Sequence, residues 1–131
     1  MKYLPPFEIL KSYMTLETIN GELKVSCNYE QFIEMLRRVI AGVEVNAEWY
    51  RTHYPDIAEA IDQGIVVSPQ RHFVDDGYFE GRQPFEIKVD ERYYLTANPG
   101  VADFVRRGLL TDGQQHFDEN GYREGRLPFG L

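Results

Sequence analysis

Histidine titrates near neutral pH, so it marks the first positions where acid–base or metal chemistry could occur. The chain has three histidines, and two of them, His72 and His116, stand 44 positions apart, each just before a phenylalanine. Asp75, Asp76 and Asp118 follow at helical spacing, as general bases or metal ligands could. The same spacing describes a solvated helix face, and metal sites normally show tighter ligand clusters. His53 has no equivalent, because Ala97 stands at the matching position. The favoured reading is that His72 and His116 pack beside aromatics and bond neighbouring loops.

Two further sets invite chemistry. Glu80-Gly81-Arg82 recurs as Glu124-Gly125-Arg126, and two arginines could grip an anion through their forked donors. Alternatively, each arginine caps the last carbonyls of a nearby helix while the glutamate pairs with it. Repetition favours that structural role, because folding constrains both copies and an active site needs only one. Trp49, Tyr50, Tyr54, Tyr78, Tyr93, Tyr94 and Tyr122 could stack on sugar rings, although such rings more often fill a core. The candidates for ligand or partner binding are therefore Tyr50, Tyr94, His72, His116, Arg82 and Arg126.

Other chemistries lack their residues. Asp75-Asp76-Gly77 and Asp118-Glu119-Asn120-Gly121 resemble calcium loops but lack the full ligand ladder and its closing glutamate. No phosphate-cradling glycine loop, nucleophile elbow or zinc motif is present. Cys27 is the only cysteine; it precedes a predicted helix start, which lowers a thiol pKa, but has no base partner in sequence. One cysteine permits no internal disulfide and fits a reducing compartment. The net charge of −7, with no basic cluster, argues against nucleic-acid backbone binding and anionic membrane surfaces. No window approaches the roughly 18 apolar residues of a membrane span, and the N-terminus lacks a secretory pattern. The expectation is a cytoplasmic protein without cofactor or metal.

The elements that must position these residues come from periodicity. Pro5-Pro6 predicts an irregular start over residues 1–10. Tyr13–Ile19 and Glu22–Ser26 flank Asn20-Gly21, a dipeptide that favours a tight hairpin turn. A lone hairpin is marginal in water, so it should pack on helices or pair with another chain. Asn28 can cap a helix from about Tyr29 to Ala41, ending near Gly42, with Phe32, Leu36, Val39, Ile40 and Val43 on one face.

Placing Val45 over Val89 aligns 41 residues without a gap, and 16 of them are identical. Such self-similarity is the signature of a tandem repeat. Each copy, 45–85 and 89–129, reads as three short helices. The first follows Asn46 or Asp90 as N-cap. The second starts at Pro55 or Pro99 with Asn98 as a natural cap, and ends at Gly64 or Gly108. The third follows Ser68 or Asp112 and stops at Gly77 or Gly121. The glycine of Glu-Gly-Arg implies a turn with positive φ.

The run Tyr94-Leu95, Asn98-Pro99, Val101-Ala102, His116-Phe117 and Glu124-Gly125-Arg126 resembles a short bacterial repeat found beside glycosyltransferase domains and in surface or secreted proteins. Gly100 departs from that pattern by replacing its aspartate. Copy one keeps Pro55-Asp56 but has Tyr54 where the pattern has asparagine. The resemblance implies an accessory module linked to exopolysaccharide or other surface-glycan synthesis; no transferase domain is present.

The expected fold is mainly α with a small N-terminal hairpin, and two tandem three-helix modules packed as one compact unit. The divisions are 1–44, 45–88 and 89–131. The expected role is a non-catalytic interaction or regulatory protein with a protein partner and room for self-association. A small-ligand or glycan module, using exposed Tyr and Arg in a groove between copies, is the second reading; a small enzyme with a histidine beside a carboxylate in a pocket is the third.

Overall fold

In the computed structural model, which describes Met1–Leu131, Asn20 and Gly21 take φ of 52° and 79°. This left-handed pair is what a two-residue hairpin turn demands. It joins strands β1 (Thr15–Ile19) and β2 (Glu22–Ser26), antiparallel with Leu16 opposite Val25 and Thr18 opposite Leu23. Before them, α1 (Phe7–Lys11) begins directly after Pro6, where an irregular segment was expected. Proline forbids a helix interior but suits a helix entrance, so Pro5-Pro6 starts the helix.

Helix α2 (Tyr29–Ile40) carries a full capping box: Asn28 Oδ1 accepts from the Gln31 amide at 2.8 Å, and Gln31 Oε1 accepts from the Asn28 amide at 3.1 Å. Its apolar stripe is buried only toward the C-terminal end. Ile40 is buried, Leu36 packs beside it, and Phe32 is exposed.

Helices α3 (Ala47–His53), α4 (Pro55–Asp62) and α5 (Pro69–His72) follow, and α5 passes into a π-helical turn over Phe73–Gly77. The same succession recurs as α6 (Glu91–Ala97), α7 (Pro99–Arg106), α8 (Gly113–His116) and a π turn over Phe117–Gly121. Asn46, Asp90, Ser68 and Asp112 all cap through their side chains. Asn98 does not. Its Oδ1, the atom that would cap, accepts from Arg126 Nη1 at 2.6 Å, and its side-chain Nδ2 donates back to the Tyr94 carbonyl at 2.8 Å. Gly64 and Gly108 end their helices at φ 75° and 74°. Gly77 and Gly121 are the last residues of their π turns, where the stops were expected, but neither takes a positive φ.

The chain divides into two compact units, Met1–Phe85 and Glu86–Leu131, where one was expected. The cause is that two separate cores form. In the first, Leu36, Ile40 and Val43 join Val45, Tyr50, Ile57 and Phe73, so residues 1–44 complete the first copy. In the second, Tyr94, Val101 and Phe117 are surrounded by Ile87, Val89, Leu95, Val105, Leu110 and Tyr122. The boundary falls before residue 86 because Gln114 clasps the incoming backbone: Nε2 donates to the Ile87 carbonyl at 2.9 Å, and Oε1 accepts from the Val89 amide at 2.8 Å. Gln70 clasps Val43 and Val45 in the same way. No helix is long and apolar enough to cross a membrane.

Candidate functional site

Each unit centres on one buried tyrosine. Tyr50 on α3 and Tyr94 on α6 are both 0% exposed. Capping by Asn46 and Asp90 fixes the start of those helices, and helical spacing turns the rings inward. The Tyr50 hydroxyl lies 2.8 Å from His72 Nδ1; the Tyr94 hydroxyl lies 2.7 Å from His116 Nδ1. Desolvation raises both phenol pKa values, Tyr50 far above the ordinary range. For His72 the other ring nitrogen, Nε2, faces the Glu80 carboxylate at 3.5 Å, so we assign the imidazole proton to Nε2, and Nδ1 accepts from the Tyr50 hydroxyl.

The π turn explains Gly77 and Gly121. It brings their backbone against the tyrosine hydroxyl, and a Cβ there would collide with Tyr50 Oη or Tyr94 Oη. The two glycines end the π turns and also provide this close approach. Gly81 and Gly125 take φ of 83° and 76°, as predicted, and turn the chain so that Arg82 and Arg126 come back to the entrance of the second helix.

Here the two units differ. Arg82 Nη1 and Nη2 donate to both oxygens of Asp56, at 3.2 and 2.9 Å, while Nε donates to Glu80 at 3.3 Å. Its guanidinium lies over the Tyr54 ring, 4.9 Å from the centroid, in a cation–π arrangement. The Tyr54 hydroxyl accepts from the Gln83 amide at 2.8 Å. Hydrogen bonding from Arg82 lowers the Asp56 pKa, and Asp56 in turn raises that of Arg82. In the second unit Arg126 Nε donates to Glu124 at 2.7 Å and Nη1 to Asn98 Oδ1 at 2.6 Å. Gly100 stands where Asp56 stands in the first copy, so the second carboxylate is missing. A cavity of about 440 Å³ opens there, lined by Asn98, Gly100, Val101, Phe104, His116 and Arg126 among others.

The six sequence candidates therefore fall into two threes, Tyr50, His72 and Arg82 in one unit and Tyr94, His116 and Arg126 in the other. The structure does not leave Tyr50 or Tyr94 available for ring stacking, since both are sealed in the core. The condition set for a groove lined by exposed Tyr and Arg is not met by these tyrosines. His72 is buried with both ring nitrogens facing protein groups, whereas His116 is half-buried and lines the cavity. The arginines do not cap helix C-termini, as the structural reading expected; they reach the N-terminal entrance of α4 and α7. Asp75 and Asp76 line a small cavity of about 180 Å³ together with His72, but Asp75 pairs with Arg71 and Asp118 accepts from Gln114, and no group of three or more His, Cys, Asp or Glu side chains could hold a metal ion. Cys27 is exposed, just before α2.

Sequence reasoning left Asp56, Asn98, Phe104 and the two clasping glutamines out of its candidates. A signal for Asn98 and Asp56 was present, because positions 54/98 and 56/100 are where the copies depart from the shared pattern. Comparison of the chain with protein-family models, with known proteins and with solved structures returns no match.

Proposed function

We propose that this chain is a non-catalytic adaptor that binds a protein partner through its N-terminal hairpin, and that segments 45–85 and 89–129 are two copies of one scaffolding module. The single observation that carries the adaptor reading is the hairpin itself. Neither strand buries a residue. Leu16, Leu23 and Val25 share one face by register, and Leu23 and Val25 are 69% and 60% exposed. A two-stranded hairpin is marginal alone and presents unpaired backbone on each outer edge. A partner strand satisfies those edges and covers the apolar face, the β-augmentation mode of recognition.

The duplication is supported by the 16 identities and by matching Tyr–His, Arg–Glu and Gln clasp bonds. Those residues build cores and turns, which fits a scaffold. The likeness of the motif to repeats beside glycosyltransferase domains supports a partner within bacterial exopolysaccharide or glycosyltransferase machinery, in the cytoplasm.

The test compares wild type with a Leu23→Ser/Val25→Ser double variant. Both strands are exposed, so the variant should keep the wild-type melting temperature. Expected are a monomeric purified chain and a partner recovered from the native host by wild type and lost by the variant. A homodimer that dissociates on the same substitutions makes the second copy the hairpin's occupant and ends the adaptor reading. So does recovery of the same proteins by both forms.

A further inference from the structure

We propose that the cavity of the second unit binds a small organic carboxylate, with Arg126 as its anchor and the α7 residues Val101 and Phe104 against its apolar body. The hairpin plays no part, so this site stands or falls apart from the adaptor role.

The first unit shows what the arginine of this motif does when a carboxylate is in reach. Arg82 holds both oxygens of Asp56 in the forked geometry preferred by guanidinium–carboxylate pairs. That carboxylate comes from the second residue of α4. The backbone at the same place in the second unit is nearly identical: Tyr54 has φ −122° and ψ 76°, and Asn98 has φ −127° and ψ 75°. What changes is the side chain one position after the proline. With Gly100 in place of Asp56, Arg126 keeps one ion pair, through Nε to Glu124. Nη1 is tied to a neutral amide oxygen, and Nη2 has no partner.

The lost side chain leaves space. A Cβ built on Gly100 meets nothing within 4 Å, and the cavity of about 440 Å³ borders both Gly100 and Arg126, within the ordinary range for small-molecule sites. Its other walls choose the ligand. Phe104, Val101 and Pro99 are apolar and suit a ring or short hydrocarbon, and the carboxylate of Asp103, also on the wall, is paired with Arg106 and Arg107. His116 forms no pair with Glu124, unlike His72 with Glu80, and adds a polar group beside the guanidinium. Asn98 Oδ1 fixes the guanidinium from one side, so the exposed edge is presented as a preformed donor. The positive end of α7 opens onto the same space and favours a negative group. A planar two-oxygen anion fits this edge better than a tetrahedral one.

The test titrates the full ¹⁵N-labelled chain with benzoate and follows the Gly100, Val101 and Phe104 amides and the Arg126 Nε–H. Wild type should show saturable shifts confined to this set. Gly100→Asp places the internal carboxylate of the first copy into the second, so it should weaken benzoate binding at least tenfold while leaving the remaining spectrum intact. Arg126→Gln should weaken it similarly. Absence of saturable shifts in wild type overturns the proposal, as does Gly100→Asp binding benzoate as tightly as wild type. Equal affinity for neutral benzamide or for inorganic phosphate at the same residues overturns the assigned ligand class.

Discussion

Arg82 and Arg126 lie 44 residues apart, in segments 45–85 and 89–129 that share the same order of helices, the same buried tyrosine and the same histidine bond. One arginine is saturated by its own chain and the other faces a cavity. The difference arises from two positions in the helix entrance, Tyr54/Asn98 and Asp56/Gly100, while the tyrosine and phenylalanine at the centre of each core are the same. The two segments keep the same succession of helices because the tyrosine, histidine, phenylalanine and glycine positions that shape it are identical in both. The pair thus separates what the motif needs for stability from what one copy is released to do.

The largest expected effect probes the shared part. Phe73 and Phe117 are 2% and 1% exposed, and truncating either to alanine should cost about 3–5 kcal/mol. If the cores are separate, Phe117→Ala should abolish hydrogen-exchange protection in residues 86–131 and leave that of 1–85 unchanged. Loss of protection in both would break the two-unit comparison.

Next in size is the tyrosine bond. Tyr50→Phe and Tyr94→Phe each leave a histidine nitrogen without its partner, at a cost of about 1–3 kcal/mol, read by denaturant unfolding. His72 is the more deeply buried histidine, so Tyr50→Phe should cost more. An equal or reversed order would show that burial of the histidine does not set the cost.

Asp56 gives the first unit a pH-dependent ion pair for which Gly100 supplies no counterpart in the second. Its folded pKa is depressed, chiefly by the Arg82 hydrogen bonds. A depressed carboxyl stabilises fully above its unfolded value, about 4, and the contribution is lost as pH falls through the lower folded value. Stability of residues 1–85 should therefore fall with acid below about pH 4, and Asp56→Asn should remove that component. The pair is largely solvent-exposed on the Asp56 side, so the neutral-pH loss should be no more than about 1 kcal/mol. An unchanged acid profile in Asp56→Asn would assign the dependence elsewhere.

The smallest effect should come from the reciprocal change. Gly100→Asp has open space for its Cβ, adds a carboxylate near Arg126 and places a negative charge in the first turn of α7. It should stabilise the second unit by about 0.5–1 kcal/mol, seen as a higher unfolding midpoint. Destabilisation would show that the two helix entrances are less alike than their backbone angles.

Much of this was legible in the residues. The hairpin turn, the cap of α2, the side-chain caps at Asn46, Ser68, Asp90 and Asp112, and the glycine turns at 64, 81, 108 and 125 all appear where the pattern predicts them. These features are local: a few neighbouring residues decide φ or satisfy one amide, and their types suffice. Two readings failed for one shared reason. Asn98 looked like a side-chain cap and the arginines like C-terminal caps. Each depended on what lay across the unit: the Arg126 guanidinium and the carboxylate at the α4 entrance.

The sequence by itself determined most of the secondary structure, the 41-residue self-similarity and the places where the two segments diverge, because helix caps, turns and periodicity are written in adjacent residues. Only the tertiary structure decided that Tyr50 and Tyr94 are sealed, that residues 1–44 complete the first core, and that Gly100 leaves a cavity beside Arg126. Those outcomes follow from which side chains meet across 20 to 40 positions of chain, and one-dimensional spacing does not say how much space is left when they do.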